Sequence, residues 1–495
     1  MSLFIKKPIS QLMADAADTE KGLKRTLTAG SLIALGIGAI IGAGLFVRTA
    51  AAAAQSAGPS VTLGFLVAAF GCALAGLCYA ELSSSIPIAG SAYTYSYATM
   101  GEFVAWIIGW DLVLEYAVGA ATVGIAWSEY LNNLLVNVLH CSPIPYQWCH
   151  SPFQHTDAGL YGIMNLPALA IVILLSLLLI KGTQESAVVN GLIVIAKVTI
   201  VILIIVIGWG FINPANHTPY IPPASTYIDS QGLSHNFGGF WGIIGAAGTV
   251  FFAFIGFDAV STTAQEAKNP KRDMPIGILG SLAICTVLYV LFAHVLTGVA
   301  TVQDFRTSGK EASVAFAINK YMIGYAWLGK LVTVAILGGF SSVILVMLLG
   351  QSRVFYSMSK DGLLPPVFSK VHPKYKTPYM ANLIILILVG LFAAFVPGDI
   401  VGDMTSIGTL FAFSLVCIGV IILRKTEPDL KREFRTPWVP FIPILGVIVC
   451  ILMMCGLGWA NWFRLFGWLA IGLVIYFNYS RYHSKLRNPD KKVDQ

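Results

Sequence analysis

The sequence predicts an all-α integral membrane protein with twelve transmembrane helices. Three observations lead there: too few charges to build a water-facing surface, apolar runs of bilayer length, and a one-sided distribution of lysine and arginine. Of 495 residues, 56% are hydrophobic and 11% are charged, whereas soluble proteins carry about 25% charged residues. With 28 Phe, 19 Tyr and 11 Trp, the chain is too apolar and too aromatic to be disordered. The apolar runs are continuous over about 20 residues, which suits helices; barrel strands alternate over about 10.

The twelve apolar spans run approximately 28–52, 60–82, 103–137, 161–181, 187–211, 239–264, 275–300, 326–355, 379–396, 404–424, 439–459 and 462–480. Each is near the length that crosses about 30 Å of hydrocarbon at 1.5 Å per residue. The third and eighth are long, so tilted or extended spans are expected there. With both termini in the cytoplasm, 24 of the 31 Lys and Arg fall on the cytoplasmic side, six fall outside, and Lys197 lies within a span. That bias supports both the orientation and an even number of spans. The net charge of +7 does not itself suggest a nucleic-acid partner, and none is expected. The first 27 residues are polar and of mixed charge, so no cleavable signal peptide is expected. Ile9 to Leu27 reads either as a short surface helix or as a solvated tail.

Six of the eight cysteines sit in or beside apolar spans and read as small packing residues. Cys141 and Cys149 share the outer loop after span three with His140, His150 and His155. An oxidising exterior permits a Cys141–Cys149 disulfide, the expected state, with two thiols or a metal site as alternatives.

Span one contains Gly36, Gly38, Gly42 and Gly44. No strand precedes this run, which excludes a dinucleotide fingerprint. Gly38 and Gly42 could serve close helix packing. Alternatively, Gly42 and Gly44, each about 1 kcal/mol poorer than Ala in a helix, mark a mid-span break. Backbone freed at that depth must line a cavity. Span six repeats the feature, with Gly242, Gly245 and Gly248 before Phe251–Asp258 and Gly256 within it. Interrupted helices at matching places in two halves of opposite direction point to an inverted repeat with a midplane binding site.

Three further motifs follow in order: Pro87-Ile-Ala-Gly90-Ser-Ala-Tyr93-Thr-Tyr95, Glu266-Ala-Lys-Asn269-Pro270 through Pro275, and Gly350-Gln351-Ser-Arg353 followed by Asp361-Gly362. Together with Gly42-Ala43-Gly44, over residues 25 to 480, the chain resembles the amino acid–polyamine–organocation superfamily, and within it the bacterial cationic amino acid transporter branch. Animal members of that branch usually carry two more helices. The resemblance implies a five-plus-five inverted repeat with discontinuous helices 1 and 6: a cytoplasmic segment 1–27, a first repeat 28–211, an extracellular loop 212–238, a second repeat 239–424, two further helices within 425–480 and a tail 481–495. It implies that the amides of Gly42, Ala43 and Gly44 meet a substrate carboxylate, consistent with the positive N-terminus of a half-helix. The ammonium would meet the carbonyls of Ile40, Ile41, Phe252, Ala253 and Ile255. Phe252 would close over the substrate as a gate, although Phe251 and Phe254 beside it make a packing role equally natural.

Buried charges are costly in a bilayer, so those within spans need a purpose. Asp111 and Glu115, four apart in span three, share a face, and Asp258 lies in span six. Lys197 reads as a structural partner for one of these carboxylates. The resemblance offers a sharper role, in which a fifth-helix lysine carries the coupling proton and bridges span one to span eight near Ser341 and Ser342. His294 reads as a packing residue.

The expected function is plasma-membrane transport of L-amino acids by proton-coupled alternating access, with no cofactor besides the proton. Small neutral substrates are favoured by Ala43, Ala253 and Ile255; Glu115 is the residue that would select a cationic side chain. An accessory single-span subunit stays open. A receptor lacks its soluble signalling domain, a channel its continuous polar pore, and an enzyme any metal-ligand or nucleophile–base spacing in the spans.

Overall fold

The computed structural model describes residues 3–11, 27–86, 91–156, 159–182, 187–228, 232, 234–263, 267–307, 312–375 and 377–488. Pro87–Gly90 and Glu266 of the motifs above lie outside these residues, as does most of the Ile9–Leu27 segment. The principal helices are α1 (Ala29–Ile40), α2 (Val61–Ser85), α3 (Glu102–Val138), α4 (Leu166–Ile180), α5 (Ala187–Gly208), α6 (Gly239–Phe251), α7 (Pro270–Val299), α8 (Ala326–Lys360), α9 (Tyr379–Phe395), α10 (Gly398–Thr426), α11 (Phe441–Gly456) and α12 (Trp459–Ile475). Among the described residues, seven helical stretches are long and apolar enough to cross a membrane, and α1, α4, α6, α9 and α11 are shorter apolar helices.

The local signals for helix starts are visible. Thr28 caps α1 through Ser31 N, and Asn165 caps α4 through Ala168 N with Pro167 in the first turn. Pro270 opens α7, while the Asn269 amide donates to Asp273. Gly58, at φ +55°, and Pro59 turn the chain from the first helical passage into α2. The central packing sets α7 against α1 and α2, α6 against α2, and α8 against the second half of α3.

Both ends of the chain meet on one face. The amides of Phe103 and Glu102 donate to the carbonyls of Leu3 and Ile5, and Lys7 Nζ lies 2.8 Å from Asp361 at the end of α8. Arg487, near the C-terminus, donates to Glu102 and to the Leu3 carbonyl.

The 212–238 loop adds a short antiparallel hairpin, Ser225–Ile228 with Ser234–Phe237, to the mostly helical fold. The Arg306 guanidinium lies over two of its rings, 4.2 Å from that of Tyr227 and 4.4 Å from that of Phe237. One expectation is corrected: the Cys141–Cys149 disulfide is not formed. Cys141 is exposed, with its sulfur by the Leu139 carbonyl, whereas Cys149 is buried, with its sulfur 3.8 Å from the Ile144 carbonyl. Nor do the neighbouring histidines gather round them: His150 stacks on Tyr146 and His155 on Tyr161.

Beyond α7, Thr301 and Asp304 form a capping box. Burial opposes the charge on Asp304, but hydrogen bonds from Lys320, Thr301 and Tyr321 hold its carboxyl well below the usual carboxylate range.

Candidate functional site

Two helices break in mid-bundle, and the breaks touch. α1 stops at Ile40; Ile41 is extended at ψ 102°, and helical winding resumes at Gly44. α6 stops at Phe251, tightens into a 3-10 turn over Phe252–Phe254, and opens at Ile255, ψ 135°. Gly256 follows at φ +110°, a conformation only glycine adopts readily. A Cβ on Gly44 would lie 2.2 Å from Ala253 Cα, and a Cβ on Gly256 would lie 2.9 Å from the Ala39 carbonyl oxygen. The two glycines thus permit the crossing of the broken segments.

A helix end leaves its last carbonyls without helical partners, and three of these on α1 can be followed. The Ile37 carbonyl accepts from Ile41 N. The Gly38 carbonyl accepts from Lys197 Nζ at 3.1 Å. The Ile40 carbonyl lies 2.9 Å from the hydroxyl of Tyr289 on α7, which is also 3.0 Å from the Ala253 carbonyl. Lys197 therefore sits at the negative end of α1, where a cation is favoured. Its stem packs on α8, since a Cβ on Gly339 would meet Lys197 Cε at 2.7 Å. Lys197 thus touches α1 at the Gly38 carbonyl and α8 at Gly339.

Ile40, Ile41, Gly42, Ala43, Gly44, Phe252, Ala253 and Ile255 are all buried round the crossing. Gly42 faces Val343 of α8. The three neighbouring phenylalanines separate by role. Phe251 packs on Phe413, and Phe254 on Phe65 and Tyr289, while Phe252 makes no ring contact among the described residues.

The carboxylates form a group of their own. Glu115 lies in a π-helical turn of α3, Leu114–Val118, beside Asp258 and Thr409. Tyr116, in the same turn, donates to Asp258 Oδ2 at 2.9 Å. Asp111 faces Gly408 of α10, and its carboxyl oxygens have no hydrogen-bond partner among the described residues. π-turns frequently mark functional positions in helices; this one widens α3 where two of its residues reach Asp258.

Four features escaped the sequence reading. Tyr289 is one hydroxyl in an apolar run, and nothing local distinguishes it. Tyr116 is hidden beside the more conspicuous Glu115. The third is an ion-pair cluster at the end of the bundle opposite the termini. Arg48, 3% exposed, reaches Asp399 at 3.3 Å and also pairs with Asp403, both at the start of α10. Asn461 supports Asp403 at 3.2 Å. The fourth is a pair of hydroxyls, Tyr130 and Ser313, that hold the Phe46 carbonyl just past the break. In the sequence Arg48 is simply one of the six Lys and Arg expected on the outer side.

An apolar helical bundle with two crossed helix breaks at its centre defines a membrane transporter rather than an enzyme. The chain belongs to the amino acid permease family, whose sequence profile matches residues 27–479. It is similar to the branched-chain amino acid permease BcaP of Bacillus subtilis (strain 168), with 44% identity over 98% of this chain and 99% of that one. It is also similar to the methylthioribose transporter of the same organism, at 40% over 98% and 99%. The vacuolar cationic amino acid transporter 4 of Arabidopsis thaliana is 32% identical over 86% of this chain and 68% of the plant protein.

Proposed function

We propose that this protein carries neutral aliphatic L-amino acids across the plasma membrane by proton-coupled alternating access. In this reading it has twelve spans in a five-plus-five inverted repeat, with two further helices and both termini in the cytoplasm. The observation that carries the reading is the crossing of two helix breaks, which presents backbone carbonyls of α1 and α6 to one point in the bundle. The amides of Gly42, Ala43 and Gly44 bind the carboxylate, and Phe252 closes over the substrate. Phe252 has no ring partner among the described residues, which favours that gate role. Ala43, Ala253, Ile255 and Val343 leave a small apolar surface for the side chain. Glu115 lies beside Asp258 and Thr409; the pair of carboxylates it makes with Asp258 would suit a cationic side chain and so defines the alternative substrate class. The similarity to a branched-chain amino acid permease points to the neutral aliphatic class.

Uptake of labelled valine into proteoliposomes, with a pH gradient imposed, tests this. Valine should accumulate, and leucine and alanine should compete better than arginine, lysine or methylthioribose. Stronger competition by arginine, removed selectively by Glu115→Gln, would establish the cationic reading instead.

Proton coupling is assigned to Lys197. The end of α1 presents the Gly38 carbonyl to the Lys197 ammonium, so opening and closing the break would remove and restore a contact of the charged form. Lys197→Ala should reduce gradient-driven accumulation to background while substrate binding persists. Accumulation that still follows the pH gradient would remove Lys197 from the coupling.

Arg48 is assigned to the outer seal. It lies four residues past Gly44 and ties the outer part of the first helical passage to α10. Arg48→Ala should raise, severalfold, the labelling of a cysteine placed at Phe340 by a membrane-impermeant thiol reagent, with Cys141 and Cys455 replaced. An unchanged rate would show that the pair does not close this path.

A further inference from the structure

We propose that the Tyr289 hydroxyl is an acceptor for the substrate's α-ammonium, completing a three-oxygen cradle with the Ile40 and Ala253 carbonyls. The proposal rests on the amino acid site described above and deepens it by naming a side chain that selects primary amines. Tyr289 has no exposed surface. Its ring is fixed between Phe65, at 5.5 Å, and Phe254, at 5.3 Å. The hydroxyl stands 2.9 Å from the Ile40 carbonyl oxygen and 3.0 Å from that of Ala253. A phenol has a single proton, so it donates to one of these carbonyls at a time. The other carbonyl then faces an oxygen lone pair, and the cluster of three oxygens is one donor short.

The cluster also carries negative character. The Ile40 carbonyl ends α1, where the helix dipole is negative, and the Ala253 carbonyl lies in the 3-10 turn that ends α6. A primary ammonium brings the missing features together: a positive charge and three N–H donors, one for each oxygen. Because the hydroxyl is within hydrogen-bond distance of both carbonyls, a nitrogen seated between the two carbonyls is also within reach of the phenol oxygen. A secondary amine offers two donors and turns its methyl group towards one of the oxygens. Tyr289 therefore reads the number of hydrogens on the substrate nitrogen. A hydroxyl that merely pinned the two broken helices together would have no such preference.

The test measures equilibrium binding of L-valine and N-methyl-L-valine to the purified protein and to Tyr289→Phe. In the unmutated protein, N-methylation should weaken binding about tenfold or more, the scale of a hydrogen bond to a charged group. In Tyr289→Phe, L-valine should weaken by about the same factor, while N-methyl-L-valine should change by less than about twofold, so the methylation penalty collapses. Equal losses for both ligands would overturn the proposal in favour of a pin. Tighter L-valine binding in Tyr289→Phe would overturn it too, because the hydroxyl would then be a placeholder that the ammonium displaces. If Tyr289→Phe does not fold, the unmutated protein still decides: no methylation penalty there overturns the proposal. Failure of the unmutated protein to bind valine, leucine or alanine would overturn the amino acid reading itself, and this inference with it.

Discussion

A Gly44→Val protein should lose amino acid uptake almost completely. The first atom added at Gly44 would lie 2.2 Å from Ala253 Cα and 2.5 Å from Ala253 N. Both are backbone atoms, so no side chain can swing aside and one broken helix must move. Overpacking of this kind costs about 1–3 kcal/mol. At the upper end, that corresponds to about a hundredfold change in any equilibrium that needs the breaks in contact. Gly338→Ala is the control, because a Cβ there meets nothing within 4 Å; it should keep full uptake and gain slightly in helix stability. Uptake by Gly44→Val within twofold of the unmutated protein would mean that the crossing is not needed for transport.

Glu102→Ala should give the largest loss of stability. Glu102 has no exposed surface, and it accepts hydrogen bonds from Arg487 Nε at 2.6 Å, from Tyr476 at 3.0 Å and from Ser484. Arg487 is itself buried and ties the C-terminal tail to the Leu3 carbonyl. Removing one partner of a buried ion pair strands the other charge, at a cost of about 3–5 kcal/mol. The melting temperature should fall sharply, and protease should cut the terminal segments more readily. Glu102→Leu combined with Arg487→Met should recover most of the loss, since the uncompensated charge is removed along with its partner. A double variant no more stable than Glu102→Ala would show that packing of the tail, rather than charge, sets the effect.

The helix breaks were legible because their cause is local. Glycines in the middle of an apolar span weaken the helix wherever the chain later goes: Gly42 lies in the break of α1, Gly44 where winding resumes, and Gly256 in the break of α6. Lys197 was conspicuous for a similar reason: a lone charge inside a span demands an explanation in any fold. Its contact with the Gly38 carbonyl was not legible, because that acceptor belongs to the backbone and exists as a free acceptor only once α1 ends at Ile40. The cysteine pair erred in the opposite direction. Eight residues of separation allow Cys141 and Cys149 to meet, but the Cys141 sulfur instead lies by the Leu139 carbonyl and the Cys149 sulfur by that of Ile144.

Composition, apolar period and lysine–arginine asymmetry determined that this is a helical membrane protein, and its glycine motifs determined which helices break. Those signals are properties of short windows and of the solvent each window can tolerate. Tertiary structure alone decided which groups meet at the breaks. Tyr289 is 249 positions from Ile40, Arg48 is 351 from Asp399, and Tyr116 is 142 from Asp258. A side chain's chemistry is written in the chain, but its partner is chosen by packing across the bundle. A single hydroxyl becomes part of a binding site when two distant carbonyls, released by two separate helix breaks, are brought within 3.0 Å of it.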